Sequence, residues 1–391
     1  MPELTPHHLE FRGGLHMGTK PDLEEVGVTI PSDTLFSAML MAWLHMGRDP
    51  AEFALPFLEN DPPFLLTSAF PRAGDVRFYH IPANVRLLFA NPAAILDTYG
   101  KQIRKVKFIS EGLLLKFLHG EHLDPWLFPK KEEEYNKDQF TGLTTQSGTC
   151  WMTREETRLL PSALMSSREG KIPGRALYRI KFWEQARVPH VQVDRINQAS
   201  TIYHIGRLTF TEGCGLWFGI HWIHPEGTVG DPAEPYRQAF TSLLADLAIR
   251  GLGGERSSGY GAFLWQDKPA IQLPDPVNDQ PGYLLSRYHP SSSELPMALT
   301  GAKTGDDRSS YNLVTVGGHL QTLNGPSQRR KRLTLVAEGG IVCPPRWPAG
   351  DVMDVKPDYQ NDAGELGHPV YRFGWALAAG LPSPQKEAHH G

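Results

Sequence analysis

The residue types with the clearest chemical potential are gathered in one glycine-rich stretch, residues 251–261. It contains Gly251, Gly253, Gly254, Arg256, Ser257, Ser258, Gly259, Tyr260 and Gly261. Because glycine loses backbone entropy on ordering, this density predicts a place where another group approaches the main chain closely. A guanidinium and two hydroxyls among exposed backbone N–H groups suit a phosphodiester backbone. The simpler alternative is a flexible connector.

Two better-known glycine motifs do not fit this stretch. A phosphate-binding P-loop needs Gly-Lys-Ser/Thr, which is missing here. The dinucleotide fingerprint runs from strand through loop to helix, whereas this chain runs from helix through loop to strand. An enzyme that acts on nucleotide phosphates through this loop is therefore the weakest of the functions considered.

Histidine and cysteine patterns give little support for a metal or a cofactor. The pairs His119/His122 and His221/His224 have ligand-like spacing but lack acidic or cysteine companions. The three cysteines have no paired spacing, so neither a zinc site nor a disulfide framework is expected. They are Cys150, Cys214 and Cys343. We expect no metal and no cofactor.

The elements on either side must hold the glycine stretch in place. Apolar residues at helical spacing from Tyr236 onward predict a helix that ends with Arg250 and Gly251, and residues 260–265 predict a strand. A strand over residues 4–17 and a helix over 32–44, with Ser32 as N-cap, would begin a ferredoxin-like βαββαβ unit. The later helix and strand would close that unit.

Composition limits the class of protein. The chain has 391 residues, of which 40% are hydrophobic, enough for two domains with real cores. A formal net charge of −4 argues against a wholly basic nucleic-acid binder, so an RNA site must be a local patch. Without a signal region or a run of eighteen apolar residues, the chain is expected to be cytoplasmic.

Two basic segments could supply that patch. Residues 101–131 hold seven Lys/Arg against three acids, and apolar alternation predicts a strand that fixes Lys105 and Lys107. A second series over residues 168–195 ends in Asp194-Arg195, for which an ion pair is as good an explanation as phosphate contact. Aromatic residues at 203–222 alternate as in sheet strands, so core packing explains them better than base stacking.

A Pro- and Asp-rich segment at 274–281 divides the chain into two predicted domains, 1–270 and 271–391. The second domain would be a smaller sheet domain with a basic cluster at 328–332 that could face RNA or an acidic partner. Its tail, residues 382–391, is predicted to be disordered.

The helix and GLGGERSSGYGAF together resemble the glycine-rich signature of the RAMP superfamily of CRISPR proteins. Four further strings narrow the resemblance to the fourth-subunit family of type III-A Csm effectors. They are FRGGLHMG (11–18), IPSDTLFSAM (30–39), FLLTSAFPR (64–72) and KQIRKVKFIS (101–110). The resemblance implies an α+β protein of two RRM-like (ferredoxin-like βαββαβ) domains, the first heavily elaborated by insertions.

The resemblance also implies a role: a non-catalytic subunit that binds the 5′ handle of the CRISPR RNA. Its implied partners are that RNA, the guide–target duplex, a large polymerase-type subunit and a RAMP backbone subunit. A thumb-like insertion would reach the duplex from about residues 120–150. The implied RNA contacts are His16, Lys20, Ser32, Lys105, Lys107, Arg195, Gly251, Gly253, Gly254, Arg256, Ser257, Ser258, Gly259 and Tyr260.

The main alternative is a metal-independent endoribonuclease that processes precursor CRISPR RNA. Some RAMP nucleases keep a catalytic histidine after the first strand, where this chain has His16. An unperturbed imidazole titrates near pH 6.5, which suits activation of a ribose 2′-hydroxyl. The Leu-His-Met-Gly string also occurs in non-catalytic handle-binding subunits, so His16 leaves both functions open.

Overall fold

The computed structural model describes residues 3–18, 26–136, 139–165, 174–193, 200–300, 309–320, 328–358 and 366–382. Lys20, Arg195 and most of the tail predicted to be disordered lie outside these ranges. Within them, helices accompany one large sheet and several small ones, which confirms an α+β protein. No helix of the described ranges combines the length and apolar character that a membrane span requires.

Most of the longer helices begin at a proline or a capping side chain. Asn91 and Ser110 accept hydrogen bonds from first-turn N–H groups, and proline opens several helices, where its missing N–H is not needed. The helices are α1 Ser32–His45, α2 Pro50–Leu58, α3 Pro92–Ile103, α4 Glu111–Leu118, α5 Ser162–Met165, α6 Gly174–Arg179, α7 Tyr236–Arg250 and α8 Leu295–Ala298.

The strands of the N-terminal two thirds are mostly short. They are β1 Glu3–Phe11, β2 Phe64–Leu66, β3 Phe70–Ala73, β4 Val76–His80, β5 Phe108–Ser110, β6 Gly142–Thr145, β7 Cys150–Thr153, β8 Trp183–Val193, β9 Ser200–Phe210, β10 Cys214–Trp222, β11 Thr228–Val229, β12 Glu234–Pro235, β13 Phe263–Asp267 and β14 Ile271–Gln272. Those of the C-terminal third are β15 Gly282–Leu284, β16 Leu313–Val316, β17 His319–Leu320, β18 Gln328–Arg329, β19 Leu333–Val336, β20 Ile341–Val342, β21 Val352–Asp354, β22 Tyr371–Phe373 and β23 Ala378–Gly380.

The large sheet is built around β1. Its order is β13-β1-β10-β3-β4-β5-β7-β6, with β14 beside β1 and β2 beside β10. All neighbours are antiparallel except β5 and β7. In the centre, His8 of β1 lies opposite Trp217 of β10 and Gln266 of β13. The first strand of the chain is thus paired with strands made more than 200 residues later.

The helix α1 matches its predicted bounds and buried face, but Ser32 is not its N-cap. Pro31 occupies the cap position and provides no side-chain hydrogen bond. Ser32 is the first helical residue, and its hydroxyl accepts a hydrogen bond from the backbone N–H of Arg287. Ser32 therefore joins the two parts of the chain rather than capping its own helix.

Beside Ser32, a buried carboxylate joins α1 to the C-terminal third. Asp33 is 1% exposed and accepts from Arg287 Nη1 at 3.0 Å and from Arg372 Nη1 at 3.2 Å. A second carboxylate, Glu338, lies 3.6 Å from Arg287 Nε and accepts from the Ser68 hydroxyl. Burial acts to raise the pKa of Glu338, but Arg287, His80 and the hydrogen bond from Ser68 together hold that pKa below its usual value. We call this set of charges the Asp33 junction.

The apolar core does not stop at the predicted boundary near residue 270. Phe36 of α1 stacks on Phe373 of β22 with ring centroids 4.8 Å apart, and Trp375 donates to the Phe57 carbonyl. Tyr283 of β15 belongs to the same continuous cluster as the large sheet. The large core therefore continues across the predicted boundary, while Leu284 and Val336 belong to a separate, smaller cluster of the C-terminal third. The C-terminal third itself forms a three-stranded sheet, β20-β15-β23, and two-stranded ribbons.

Local structure was predicted for residues 101–110 and for residues 120–150. The predicted strand over 101–110 is wrong in its first part, because α3 continues to Ile103 and only Phe108–Ser110 are paired. The described part of residues 120–150, where a thumb was predicted, contributes β6 and β7 to the large sheet. The long hairpin of the described chain is instead β8–β9, in which Trp183 pairs with Phe210 and Val193 with Ser200.

Candidate nucleic-acid interface

The glycine-rich stretch links α7 to the edge strand β13. Gly251 follows the last helical residue with a φ of +82° and a ψ of 158°, which is open to glycine but is not the left-handed helical conformation expected after a helix end. The chain then makes a single 3₁₀ turn at Arg256–Ser258, between the left-handed residues Glu255 and Gly259. Because β13 pairs with β1, this loop lies beside the end of the central strand.

A second glycine segment, residues 13–16, lies directly against the loop. The N–H of Gly254 donates to the His16 carbonyl at 2.9 Å, and the N–H of Gly261 donates to the Gly14 carbonyl at 2.8 Å. Within the loop, the N–H of Leu252 donates to the Gly261 carbonyl. The close approach that the sequence predicted is therefore made, first of all, between two segments of this chain.

Most glycines of the loop have a demonstrable steric reason. A Cβ on Gly253 would overlap the His16 carbonyl oxygen, and one on Gly261 would overlap the Leu252 carbonyl oxygen. A Cβ on Gly254 would lie 2.8 Å from the His16 ring. Gly259 differs, because a Cβ there meets nothing within 4 Å although its φ is +81°. Gly259 thus faces open space, at the exposed end of the loop.

His16 lies inside this contact rather than on the surface. Its side chain is buried, with 6% of the residue exposed, and Nδ1 lies 2.8 Å from the Gly206 carbonyl of β9. A carbonyl only accepts, so Nδ1 carries the proton. His16 consequently connects the glycine loop, through its backbone, to the β8–β9 hairpin, through its ring.

The outward rim of the loop is polar and cationic. Ser257, Ser258 and Gly259 are exposed, and Arg256 is half-buried. Arg12, which precedes the glycine pair of residues 13–14, is also exposed. Guanidinium and hydroxyl groups are thus grouped at one surface in a chain whose overall charge is negative.

Arg207 is a member of this rim that the sequence analysis did not single out. Its guanidinium lies over the Tyr260 ring, 5.8 Å from the centroid. Arg207 Nε is buried and has no hydrogen-bond partner among the described residues. In the sequence, Arg207 is an arginine within the alternating strand IYHIGRLTF. That observation indicates little until the structure shows that this strand passes the loop. We call Arg12, Arg207, Arg256–Gly259 and Tyr260 the loop rim.

Other predicted RNA contacts are not gathered at the loop rim. Ser32 belongs to the Asp33 junction. Lys105 and Lys107 are exposed between α3 and β5, with the Lys105 side chain over Gly148. Because β5 is four strands from β1 in the sheet, these lysines are roughly 19 Å away. They mark a different part of the surface.

The β8–β9 hairpin carries apolar side chains into solvent. Val191 and Ile202 are directly paired across the hairpin and are 59% and 66% exposed. On the other face, the His190 and Tyr203 rings have centroids 5.6 Å apart. Its base is held by the reciprocal backbone hydrogen bonds of Leu15 and Leu208. The hairpin therefore presents contact surface at its outer end and is attached to the loop at its base.

A further charged cluster lies under the large sheet. Burial, followed by the guanidiniums of Arg72 and Arg77, lowers the pKa of His8 from 6.5 to about 3. Arg77 in turn makes two 2.7 Å hydrogen bonds to the carboxylate of Glu111. These side chains are engaged with one another, so the cluster supports the sheet rather than a ligand.

Among the described residues, no three His, Cys, Asp or Glu side chains are grouped to hold a metal.

Comparison with known proteins relates the chain to a family. Residues 278–381 match the family described as the CRISPR Csm4 C-terminal domain. Curated proteins named CRISPR system Cms protein Csm4 match at 25–29% identity: that of Thermococcus onnurineus over 51% of this chain and 55% of that protein, and that of Mycobacterium tuberculosis over 46% and 51%. The chain is similar to the Csm4 family of CRISPR proteins.

The fold of this chain has been seen before. A solved Csm3–Csm4 subcomplex of the type III-A interference complex matches with a TM-score of 0.58, covering 97% of this chain and 99% of that one. The identity is 16%, so this likeness concerns the fold alone. In sequence, the chain spans about half the length of the curated relatives it matches.

Proposed function

We propose that this chain is a subunit of a type III-A Csm interference complex in antiviral defence, and that its loop rim binds the 5′ handle of the CRISPR RNA. The observation that carries the proposal is the construction of the loop. Its inner glycines are used to pack against residues 13–16, while Arg256–Gly259 remain at the surface beside Arg12 and Arg207. Such a surface can receive phosphates through charge-assisted hydrogen bonds.

The sheet supports the RRM-like part of the proposal. The order β13-β1-β10-β3, with α1 after β1 and α7 between β10 and β13, is the arrangement of a βαββαβ unit. The glycine loop then lies between the second helix of that unit and its last strand. The rest of the N-terminal part is inserted around it, as the resemblance implies.

The β8–β9 hairpin is proposed to contact the guide–target duplex. It is the long hairpin of the described chain, and its exposed Val191 and Ile202 offer apolar surface to a base step or to a neighbouring protein. The subcomplex with Csm3 supports a backbone subunit as one neighbour. Together with the large polymerase-type subunit, this would make the chain a cytoplasmic bridge at one end of the complex.

We propose no chemistry for the chain itself. His16 is buried, and its Nδ1 is held by the Gly206 carbonyl. An endoribonuclease would instead need this imidazole against a ribose hydroxyl. Incubation of the purified chain with repeat-containing RNA, with and without divalent metal, should leave the RNA intact. Specific cleavage that disappears in His16→Ala would establish the endoribonuclease alternative.

Handle binding is tested with one pair of arginines. Arg256→Ala removes a cation of the loop rim, and the control Arg250→Ala removes the cation at the end of α7, which pairs with Asp246 at 2.8 Å. Loss of a charge-assisted contact costs roughly 1.5–3 kcal/mol, about 10–100-fold in the Kd for handle RNA. Arg250→Ala should stay close to wild type. Equal affinities for both variants, with an unchanged melting temperature, would remove the loop from the RNA site.

A further inference from the structure

A shallow groove opens on the surface of α3, away from the loop rim. Its volume is about 330 Å³, at the lower end of the roughly 300–1,000 Å³ of ligand pockets. The buried side chains of Ile103 and Val106 form the floor. The half-buried residues Val85, Leu96 and Gly100 complete the lining together with the exposed Arg104.

The surroundings of this groove are positively charged. Arg104 lines it, Arg86 follows Val85 in the chain, and Lys101 follows Gly100, and all three are exposed. Asp97, next to Leu96, is the acidic neighbour in α3. A ligand for the groove should therefore join an apolar group to negative charge.

That description fits a protein better than an RNA base. Bases in single strands are held mainly by stacking on aromatic rings. The lining is aliphatic, and the aromatic residue of the helix, Tyr99, packs against Phe128 and Lys130 instead. An aliphatic floor accepts an apolar side chain, and the cations accept carboxylates.

Gly100 is the position at which the groove can be filled by a substitution. It lies within α3, where glycine is less favourable than alanine by about 1 kcal/mol. A Cβ at this position meets nothing within 4 Å. The chain could therefore carry a larger side chain here without a clash of its own, and that side chain would occupy the groove.

We propose that the α3 groove docks an acidic segment of another protein subunit, which inserts an apolar side chain between Leu96 and Gly100. This proposal depends on the proposed function in one respect: the subunit that docks is taken to come from the same Csm complex. It adds a binding surface that is separate from the loop rim and specific for protein.

The test uses the full chain with the large subunit and the backbone subunit of the same complex, each purified. Gly100→Leu fills the groove, and Gly100→Ala is the matched control with one added methyl. Gly100→Leu should weaken assembly with one of the two subunits at least about tenfold, while Gly100→Ala stays near wild type. Both variants should melt at or slightly above the wild-type temperature, because each replaces a glycine inside a helix, and both should keep the handle affinity of the wild type.

A second pair of measurements identifies what occupies the groove. Lys101→Glu combined with Arg104→Glu should slow association and reduce its salt dependence, whereas Arg250→Glu should not. A photoreactive residue in place of Leu96 should cross-link to a protein segment that contains acidic and apolar residues. Cross-linking to RNA, or to nothing in the assembled complex, overturns the proposal.

The outcomes separate this proposal from the proposed function. If the wild type assembles and Gly100→Leu assembles equally well, the groove is not a docking site, and handle binding stands. If the wild type binds neither subunit, both proposals fail together. If it binds no handle RNA but assembles in a Gly100-dependent way, the groove stands and the loop rim assignment fails.

Discussion

The Asp33 junction and the glycine loop join distant parts of the chain in opposite ways. At the junction, a carboxylate that is 1% exposed is surrounded by the guanidiniums of Arg287 and Arg372. At the loop, contact is made by main-chain hydrogen bonds between Gly254 and His16 and between Gly261 and Gly14. One connection uses buried charges, and the other uses the absence of side chains.

This difference decides where charge is available for a ligand. Buried charges are costly to desolvate and must satisfy one another, so the arginines of the junction have no role outside it. The loop packs against residues 13–16 through main-chain hydrogen bonds, and Ser257 and Ser258 are exposed at its rim. In the proposed function, arginine is therefore structural in one region and binds RNA in the other.

The largest effect is expected at the junction. Asp33→Ala would leave Arg372 buried without its carboxylate, and removing one partner of a buried pair costs about 3–5 kcal/mol. Asp358→Ala is the control, because this aspartate contacts Lys331 in solvent and its loss should leave the stability close to that of the wild type. Urea denaturation of both variants measures the difference. Equal stabilities would mean that the junction does not hold the two parts together.

The steric role of the loop is tested by two alanine substitutions with the same backbone strain. Gly253 and Gly259 have φ values of +87° and +81°. Gly253→Ala adds an overlap with the His16 carbonyl to the strain, whereas Gly259→Ala adds only the strain, about 1–2 kcal/mol. Gly253→Ala should therefore lose at least about 1 kcal/mol more in the free energy of unfolding. A loop that is merely flexible predicts the same small loss for both.

Arg207→Ala should affect RNA and leave the fold intact. The change removes a half-buried cation beside Tyr260, and we expect handle affinity to fall by about 10–100-fold. Because one phosphate contact is lost, the slope of log Kd against log salt should flatten by roughly 0.7 for a single strand. Arg207→Lys keeps the charge and should retain part of the affinity. A salt slope identical to that of the wild type would place Arg207 outside the RNA site.

The pH dependence of the free energy of unfolding tests how much the burial of His8 affects stability. Folding lowers the pKa of His8 to about 3 from 6.5, so the unfolded chain binds more protons between those pH values. Stability is complete above about pH 6.5 and falls as the pH falls, by at most about 1.4 kcal/mol per pH unit. His8→Gln should flatten this fall. Arg72, Arg77, Lys268 and Asp75, whose charges act on His8, remain in both proteins.

The sequence was most informative where local chemistry and packing agree. The bounds of α1 and α7 follow from apolar spacing, and the density of glycine indicated a close approach. It could not tell whether the approaching group is RNA or the chain itself. That distinction depends on Gly13–His16 lying against the loop, a contact between segments more than 230 residues apart.

Long-range pairing also explains the errors. Ser32 has the residue type of an N-cap, but its hydroxyl is used by the backbone of Arg287. In residues 101–110, apolar and basic residues alternate as in a strand, yet Asn91 and Pro92 start a helix that runs through Ile103. Arg207 was missed because its importance depends on which strand passes the loop. None of these features can be predicted from a short stretch of sequence, because each depends on residues elsewhere in the chain.

The shared core sets the order in which the protein can be completed. Strand β1 is synthesised first, but its neighbours β10 and β13 lie beyond residue 213, and Phe36 of α1 packs on Phe373 near the end of the chain. Contacts of such high sequence separation form slowly and late. On the ribosome, α2 can cover part of the apolar face of α1, but the rest stays uncovered until almost the whole chain has been made. Nascent chains should depend on protection from aggregation during that interval.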